Sequence, residues 1–299
     1  MKTTTEIMAP PAEPTASTEP TALAEPTVPA DPPPVRLFGL ALDPVTTDQA
    51  VARVRRWARA WAADGRPAGA TKVVVTPNVD HLVKLHEGFK DDPGKRAAVW
   101  AAYTAADLTT ADGAPVVAAA KLFGEPLPAR VAGSDLVPAL LAAGTADEPV
   151  RIFLLGAPPG VADAAAEQIA RTYPHAEVVG THCPPLGFEH DAGENATILR
   201  LLDDAAPDVL CVGLGFPKQE LWVHAHRDRL RCGVALCVGA TIDFLAGNRA
   251  RCPAWMAKAG LEWTFRLYLE PGRLAGRYAR DAAGFPKVLW REWRGGPKS

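Results

Sequence analysis

The chain has 299 residues, 48% of them hydrophobic and 22% charged, with a formal net charge of -2. It can bury a sizeable core and fills about two domains at the usual ~150 residues each, or one domain with tails. Its charge argues against a general nucleic-acid binder, which is normally basic.

Five cysteines, an odd number with no CxxC spacing, argue against a disulfide framework and for a reducing cytosol. Cys211 and Cys237 lie in apolar runs and are expected to be buried free thiols. No apolar run reaches the ~18 residues of a spanning helix. The start, Met1-Lys2-Thr3-Thr4-Thr5-Glu6, lacks the apolar core of a signal peptide.

Residues 1–35 are rich in Ala, Thr, Glu and Pro and almost free of bulky apolar side chains. Such a segment does not bury enough surface to offset its ordering entropy and reads as a disordered tail. Residues 36–42 are expected to form one short strand. Thr46 and Gln49 then offer a capping box, and Val51, Val54, Trp57, Ala58 and Trp61 recur at helical spacing. A second strand, residues 72–76, runs into Pro77-Asn78, so Thr76 and Asn78 sit where a strand ends and a helix begins. After a helix containing residues 97–103, a short strand closes at Asp112-Gly113 before an apolar helix over 114–123. Asp112 is there either an N-cap or a site residue. Ser134 or Asp135 is expected to cap the next helix, over 136–143.

The second half alternates strand and helix through Val238. Residues 150–156 form a buried strand, 161–173 an amphipathic helix and 176–180 a strand. This pattern predicts an α/β fold with a parallel sheet and helices on both faces. The central stretch is Pro207-Asp208 followed by the apolar run 209–212 and Gly213-Leu214-Gly215-Phe216-Pro217-Lys218-Gln219-Glu220. It reads as a buried strand, a glycine turn and the first turn of a helix, with Lys218, Gln219 and Glu220 at a helix N-terminus suited to anions. Taken alone, such a turn is more often an ordinary βα connection with solvated polar residues.

From Thr264 onward, eight basic residues face three acidic ones, interleaved with Phe265, Tyr268, Tyr278, Phe285, Trp290 and Trp293. Cations mixed with interfacial aromatics suit a helix lying on an anionic membrane surface. A solvated helix packing some aromatics on the core is the competing reading.

Known site motifs are absent. There is no HExxH, Cys-His cluster, G-x-S-x-G elbow or P-loop, and Gly156-Ala157-Pro158-Pro159-Gly160 is not G-x-G-x-x-G. What remains is a set of polar residues at strand ends: Thr76, Asn78, Asp112, Arg130, Gln219 and Asp243. In a doubly wound sheet these converge on one crevice and would suit group transfer from a nucleotide sugar.

The ordered series Thr76-Pro77-Asn78, His81-Leu82-Val83, Ala111-Asp112-Gly113, Arg130-Val131-Ala132-Gly133-Ser134-Asp135 and Gly215-Phe216-Pro217-Lys218-Gln219-Glu220 resembles the WecG/TagA/CpsF glycosyltransferases, glycosyltransferase family 26. The likeness continues through Val238-Gly239-Ala240-Thr241-Ile242-Asp243, Ala246-Gly247, Gly260-Leu261-Glu262-Trp263, Arg266-Leu267, Glu270-Pro271 and Arg273-Leu274.

The resemblance implies a Rossmann-like, inverting, metal-independent transferase without cofactor. The donor would be a UDP-sugar, of UDP-N-acetylmannosamine type or another hexose. The acceptor would be a polyprenyl-diphosphate-linked sugar, as in teichoic acid, common-antigen or exopolysaccharide synthesis. By the same resemblance Asp112 would be the general base, Thr76 and Asn78 would line the site, and Arg130 would contact substrate. Gln219, with Lys218 and Asp243 beside it, would belong to the substrate pocket, and Arg266 and Arg273 would reach the diphosphate.

The implied organisation is a tail over 1–35, a transferase core over 36–250 and a C-terminal appendage over 251–299. The protein would be cytoplasmic and peripheral on the inner face of the membrane; a homo-oligomer is compatible with the sequence. The segment Gly180-Thr181-His182-Cys183-Pro184-Pro185-Leu186-Gly187-Phe188 is bulkier and more proline-rich than the family pattern, which leaves donor preference open. Two readings from other classes stand beside this one. They are a nucleotide-sugar epimerase or dehydrogenase, and a non-catalytic membrane-associated scaffold of a polysaccharide machine.

Overall fold

The computed structural model describes residues 32–248, 252–253, 256 and 262–295. The expected tail up to residue 31 and the Gly260-Leu261 motif lie outside the described residues.

The apolar runs become parallel strands. These are β3 (Lys72–Val75), β4 (Leu108–Thr109), β5 (Val150–Gly156), β6 (Ala176–His182), β7 (Val209–Gly213) and β8 (Val234–Cys237), hydrogen-bonded in the order β4-β3-β8-β7-β5-β6. Side chains alternate between the two faces. Val73, Val75, Leu210, Val212, Ala235 and Cys237 enter one core cluster, whereas Val74, Val209, Cys211, Val234 and Leu236 enter the other. Both faces are covered, which is why these strands read as unbroken apolar runs rather than polar–apolar alternation.

On the first face lie α2 (Val79–Glu87), α3 (Pro93–Thr104), α4 (Ala114–Leu122), α7 (Ala192–Ala205) and α8 (Lys218–His226). On the second lie α1 (Thr47–Ala63), α5 (Gly133–Ala142), α6 (Val161–Thr172) and α9 (Thr241–Leu245). The Thr46–Gln49 capping box forms in both directions at the start of α1. Cys211 and Cys237 are buried free thiols, as expected.

Local expectations are corrected at two places. Residues 36–42 are not one strand. They fold as an antiparallel hairpin of β1 (Val35–Leu37) and β2 (Leu40–Leu42), because Phe38 and Gly39 both take positive φ, 55° and 74°, and turn the chain. Helix α5 starts a turn early with Ala132 at its N-cap, which places Ser134 and Asp135 in the first turn rather than at the cap.

A short helix, Glu262–Leu269, precedes a long C-terminal helix, Pro271–Gly295. The long helix lies on α2. Gly284 sits so close to Val83 that a Cβ there would fall 2.5 Å from Val83 Cγ1, and Leu274 and Val288 are buried. Phe285 packs on Phe38 with ring centroids 6.2 Å apart, Glu292 accepts the Phe38 amide at 2.8 Å, and Arg291 pairs with Glu87 at 2.6 Å. Its aromatics therefore divide. Phe285 faces the protein, whereas Trp290 and Trp293 are 54% and 71% exposed. Among the described residues no helix is long and apolar enough to cross a membrane.

Candidate active site

The direction in which successive strands are added to the sheet reverses between the parallel strands β5 and β7. The connection after β5 leads outward through α6 to β6, and the one after β7 leads through α8 the opposite way to β8. Such a switch opens a crevice at the carboxyl ends of the strands. Gly156 and Gly213 are register partners there, and a Cβ on Gly156 would come within 2.7 Å of the Gly213 carbonyl. Backbones this close require glycine.

The predicted polar residues gather along this carboxyl edge. Thr76, buried at the end of β3, donates to the Cys237 carbonyl at the end of β8 at 3.3 Å. Asn78 is the N-cap of α2 and accepts the His81 amide at 3.1 Å, so its carboxamide oxygen is occupied by the helix end. The Asp112 amide donates to Pro77 O at 3.0 Å, which ties the loop after β4 to the β3–α2 junction. The cap position of α4 belongs to Gly113, not Asp112. Asp112 instead lies 3.9 Å from Arg130, both side chains about a quarter exposed (26% and 25%), and Arg130 also bonds Asp135.

Gln219 is 1% exposed. Its Nε2 donates to Glu220 at 2.8 Å and its Oε1 accepts the Gly239 amide at 3.0 Å, so the side chain links the loop after β8 to the head of α8. Lys218 points the other way, to Glu189 at 3.3 Å, over the Phe188 ring. Asp243 lies on α9, one residue before Phe244, whose ring is covered by the Arg266 guanidinium at 5.0 Å. Arg273 is half exposed and pairs with Glu270. The structure thus brings together Thr76, Asn78, Asp112, Arg130 and Gln219. It places Arg266 over the ring of Phe244, which follows Asp243 in the chain, and it sets Lys218 and Arg273 on separate partners.

Three residues with no assigned role in the sequence reading complete the floor. Tyr103 on α3 meets His81 Nδ1 at 2.9 Å and donates to Glu220 Oε1 at 3.3 Å. His81 stacks on Phe216, centroids 4.5 Å apart, just before α8. Burial pushes the Glu220 carboxyl up to about 7 and the His81 imidazole down to about 4. Burial, then the Glu220 charge, raises the Tyr103 phenol well above its ordinary value. His81 and Glu220 lay inside quoted motifs, but the Tyr103–Glu220 contact spans 117 positions and has no local sequence signal.

Among the described residues, no group of three or more His, Cys, Asp or Glu side chains is placed to hold a metal ion. Cationic groups at the edge include Arg130 beside Asp112, Lys218 beside Glu189 and Lys84 over the Phe216 ring at 5.4 Å, and helices α6 and α8 both begin there, their N-termini favouring negative charge.

Comparison with known proteins places the chain among relatives of one kind. Residues 35–299 match the family described as Glycosyl transferase WecG/TagA/CpsF. The chain is similar to an N-acetylglucosaminyldiphosphoundecaprenol N-acetyl-beta-D-mannosaminyltransferase of Bacillus spizizenii, 34% identical over 58% of this chain and 65% of that one. Enzymes of the same name from Bacillus subtilis and Staphylococcus aureus are 33% and 30% identical, over 54% and 56% of this chain and 60% and 64% of theirs. The matched region thus spans somewhat under two thirds of each of these relatives.

Proposed function

The chain belongs to the WecG/TagA/CpsF family of glycosyl transferases, and on that premise we propose that it moves a hexose or N-acetylhexosamine from a UDP-sugar to a lipid-diphosphate-linked sugar in cell-surface polymer synthesis. The observation that carries this reading is the placement of a partly exposed carboxylate, Asp112, beside Arg130 on the edge formed by Thr76 and the Gln219–Gly239 bond. The relatives' names supply the substrate class, an N-acetylmannosamine donor and an N-acetylglucosaminyl-diphosphoundecaprenol acceptor.

Transfer proceeds with inversion. Asp112 takes the proton of the acceptor hydroxyl as that oxygen attacks the anomeric carbon, the bond to the β-phosphate oxygen breaks, and UDP leaves. Negative charge grows on the departing diphosphate. Guanidinium groups and the N-termini of α6 and α8 offset it, so the reaction needs no metal ion. Arg130, already held by Asp135, fixes the orientation of Asp112, and Arg266 and Arg273 approach the diphosphate from the appendage.

The same reading divides the chain into a tail (1–35), a transferase core (36–250) and an appendage (251–299), and puts the protein on the inner membrane face. Exposed Trp263, Tyr268, Trp290 and Trp293, with the Arg294 guanidinium over the Trp290 ring at 4.5 Å, support membrane-surface contact, since aromatics and cations together favour an anionic interface.

The test is UDP release by purified protein with a panel of UDP-sugars and a short-chain lipid-diphosphate-sugar acceptor, with and without EDTA. Acceptor-dependent release that survives EDTA is the expected result. Release abolished by EDTA and restored by a divalent cation removes metal independence, and no release or UDP binding with any donor removes the transferase reading.

A further inference from the structure

A buried hydrogen-bonded chain lies beneath the proposed site and joins three of its loops. From the β3–α2 side, His81 Nδ1 meets the Tyr103 hydroxyl at 2.9 Å. That hydroxyl donates to Glu220 Oε1 at 3.3 Å, and the same oxygen receives Gln219 Nε2 at 2.8 Å. Gln219 Oε1 then takes the Gly239 amide at 3.0 Å. His81 stacks on Phe216 and thereby holds the β7–α8 turn as well.

Tyr103, Gln219 and Glu220 are each 2% exposed or less. A buried carboxylate is costly unless its hydrogen bonds serve a purpose, and an apolar side chain of similar size would fill this space at lower cost. Glu220 Oε2 is buried with no hydrogen-bond partner, so packing and solvation alone do not account for a carboxyl here. What the carboxyl does supply is direction. A carboxamide has one acceptor end and one donor end. With Glu220 accepting from Nε2, the Oε1 end of Gln219 must face Gly239. With the tyrosine proton committed to Glu220, a neutral His81 must carry its own proton on Nδ1.

We infer that Glu220 and Tyr103 are positioning residues of the proposed transfer reaction, a two-residue buried clamp that sets the rotamer of Gln219 and the tautomer of His81. Through these it holds the β3–α2, β7–α8 and β8–α9 loops in one arrangement. Neither side chain touches substrate; they act through Gln219 and His81. This inference rests on the transferase reading for its consequence, but the clamp itself can be read without any substrate.

The experiment compares wild type with Tyr103→Phe, Glu220→Leu and Glu220→Gln. The conservative glutamine can still accept from both Tyr103 and Gln219. Long-range proton–nitrogen spectra of His81 are recorded on the substrate-free full chain, and kcat and KM for the UDP-sugar are measured beside melting temperatures. Tyr103→Phe removes one oxygen from an otherwise unchanged ring, so it remains informative if Glu220→Leu fails to fold.

The expected wild-type signal is the Nδ1–H tautomer, lost in Tyr103→Phe. Displacing loops by about 1 Å costs on the order of a hundredfold. Tyr103→Phe and Glu220→Leu should therefore lower kcat/KM by roughly tenfold to a hundredfold, with Glu220→Gln recovering most of that loss. A folded Tyr103→Phe with wild-type kcat/KM overturns the inference, as does Glu220→Gln as impaired as Glu220→Leu. If the wild type turns over no UDP-sugar, the transferase reading falls first. The His81 spectrum then decides the clamp, and a signal indifferent to Tyr103→Phe overturns it.

Discussion

Asp112→Asn separates a base from a structural anion. The carboxylate lies 3.9 Å from Arg130 Nη1. At an effective dielectric of 20 that separation corresponds to an attraction of about 4 kcal/mol. The figure overstates what the fold would lose, since the side chains are 26% and 25% exposed and Arg130 keeps its bond to Asp135. Pairs this exposed contribute about 0–1 kcal/mol, so the variant should melt within a few degrees of wild type. Its amide still donates to Pro77 O, because that bond uses the backbone. Turnover should respond on a different scale, since removing a general base costs about 10²- to 10⁴-fold. The assay is acceptor-dependent UDP release at saturating donor, beside calorimetric UDP binding and a melting curve. The expected pattern is UDP affinity within a few-fold of wild type, an almost unchanged melting temperature, and kcat down by at least about a hundredfold. An unchanged kcat removes Asp112 as base. A large drop in melting temperature would show instead that the Asp112–Arg130 pair is structural.

Further predictions concern the helix on α2, acidity and the membrane. Gly284→Leu drives side-chain atoms into Val83, where even a Cβ would sit at 2.5 Å; overpacking of this kind costs about 1–3 kcal/mol. Limited proteolysis should then cut near the C-terminal helix while the core survives, and an unchanged pattern would refute the seating described above. Glu220 has a folded-state pKa raised to about 7, so its contribution to stability is present at low pH and is lost as pH rises through about 7. His81, lowered to about 4, has the opposite sign, being destabilising as pH falls below its ordinary 6.5. Glu220→Gln should therefore gain stability relative to wild type between pH 5 and 8, read as a growing difference in urea midpoint; a flat difference refutes the raised carboxyl. Trp290→Ser with Trp293→Ser should lower flotation with anionic vesicles without changing UDP binding. Equal flotation would remove these side chains from the membrane contact.

The sheet was legible because burial on both faces leaves unbroken apolar runs, as at residues 209–212 and 234–237. The junction residues were legible because βα connections have strong turn chemistry, as at Thr76-Pro77-Asn78 and Gly215-Phe216-Pro217. The hairpin at Phe38-Gly39 was not, since a phenylalanine at positive φ carries no signature and the apolar run continues through it. The polar trio Lys218-Gln219-Glu220 could be placed at the head of a helix, but not oriented. Lys218 lies against Glu189, whereas Gln219 and Glu220 turn into the protein. That inward turn depends on Tyr103 and Gly239, which only the folded sheet brings near. The aromatic–cationic character of the C-terminal helix was visible as composition, but its division into Phe285 against Phe38 and Trp290 and Trp293 outward requires the helix's seat on α2.

The parts of the proposed chemistry are attached to the fold with different strengths, and this bears on how they act. Thr76, Gln219 and Glu220 are buried and bonded to strand ends or to the first turn of α8. Asp112 is half a step outward, fixed by its backbone to Pro77 with its carboxylate in reach of solvent. Arg266 and Arg273 lie on helices that follow the main sheet, held by a guanidinium–ring contact and an adjacent acid rather than by strand ends. Opening free energy tracks burial and buried contacts, so the arginine-bearing segment should open more readily than the sheet edge. On the transfer reaction proposed above, Thr76, Gln219 and Asp112 would be set in advance on the sheet edge, while Arg266 and Arg273 would be brought to the departing diphosphate by the more readily opened segment. That order would let the arginines act when the proposed acceptor is present and so favour transfer to it over transfer to water.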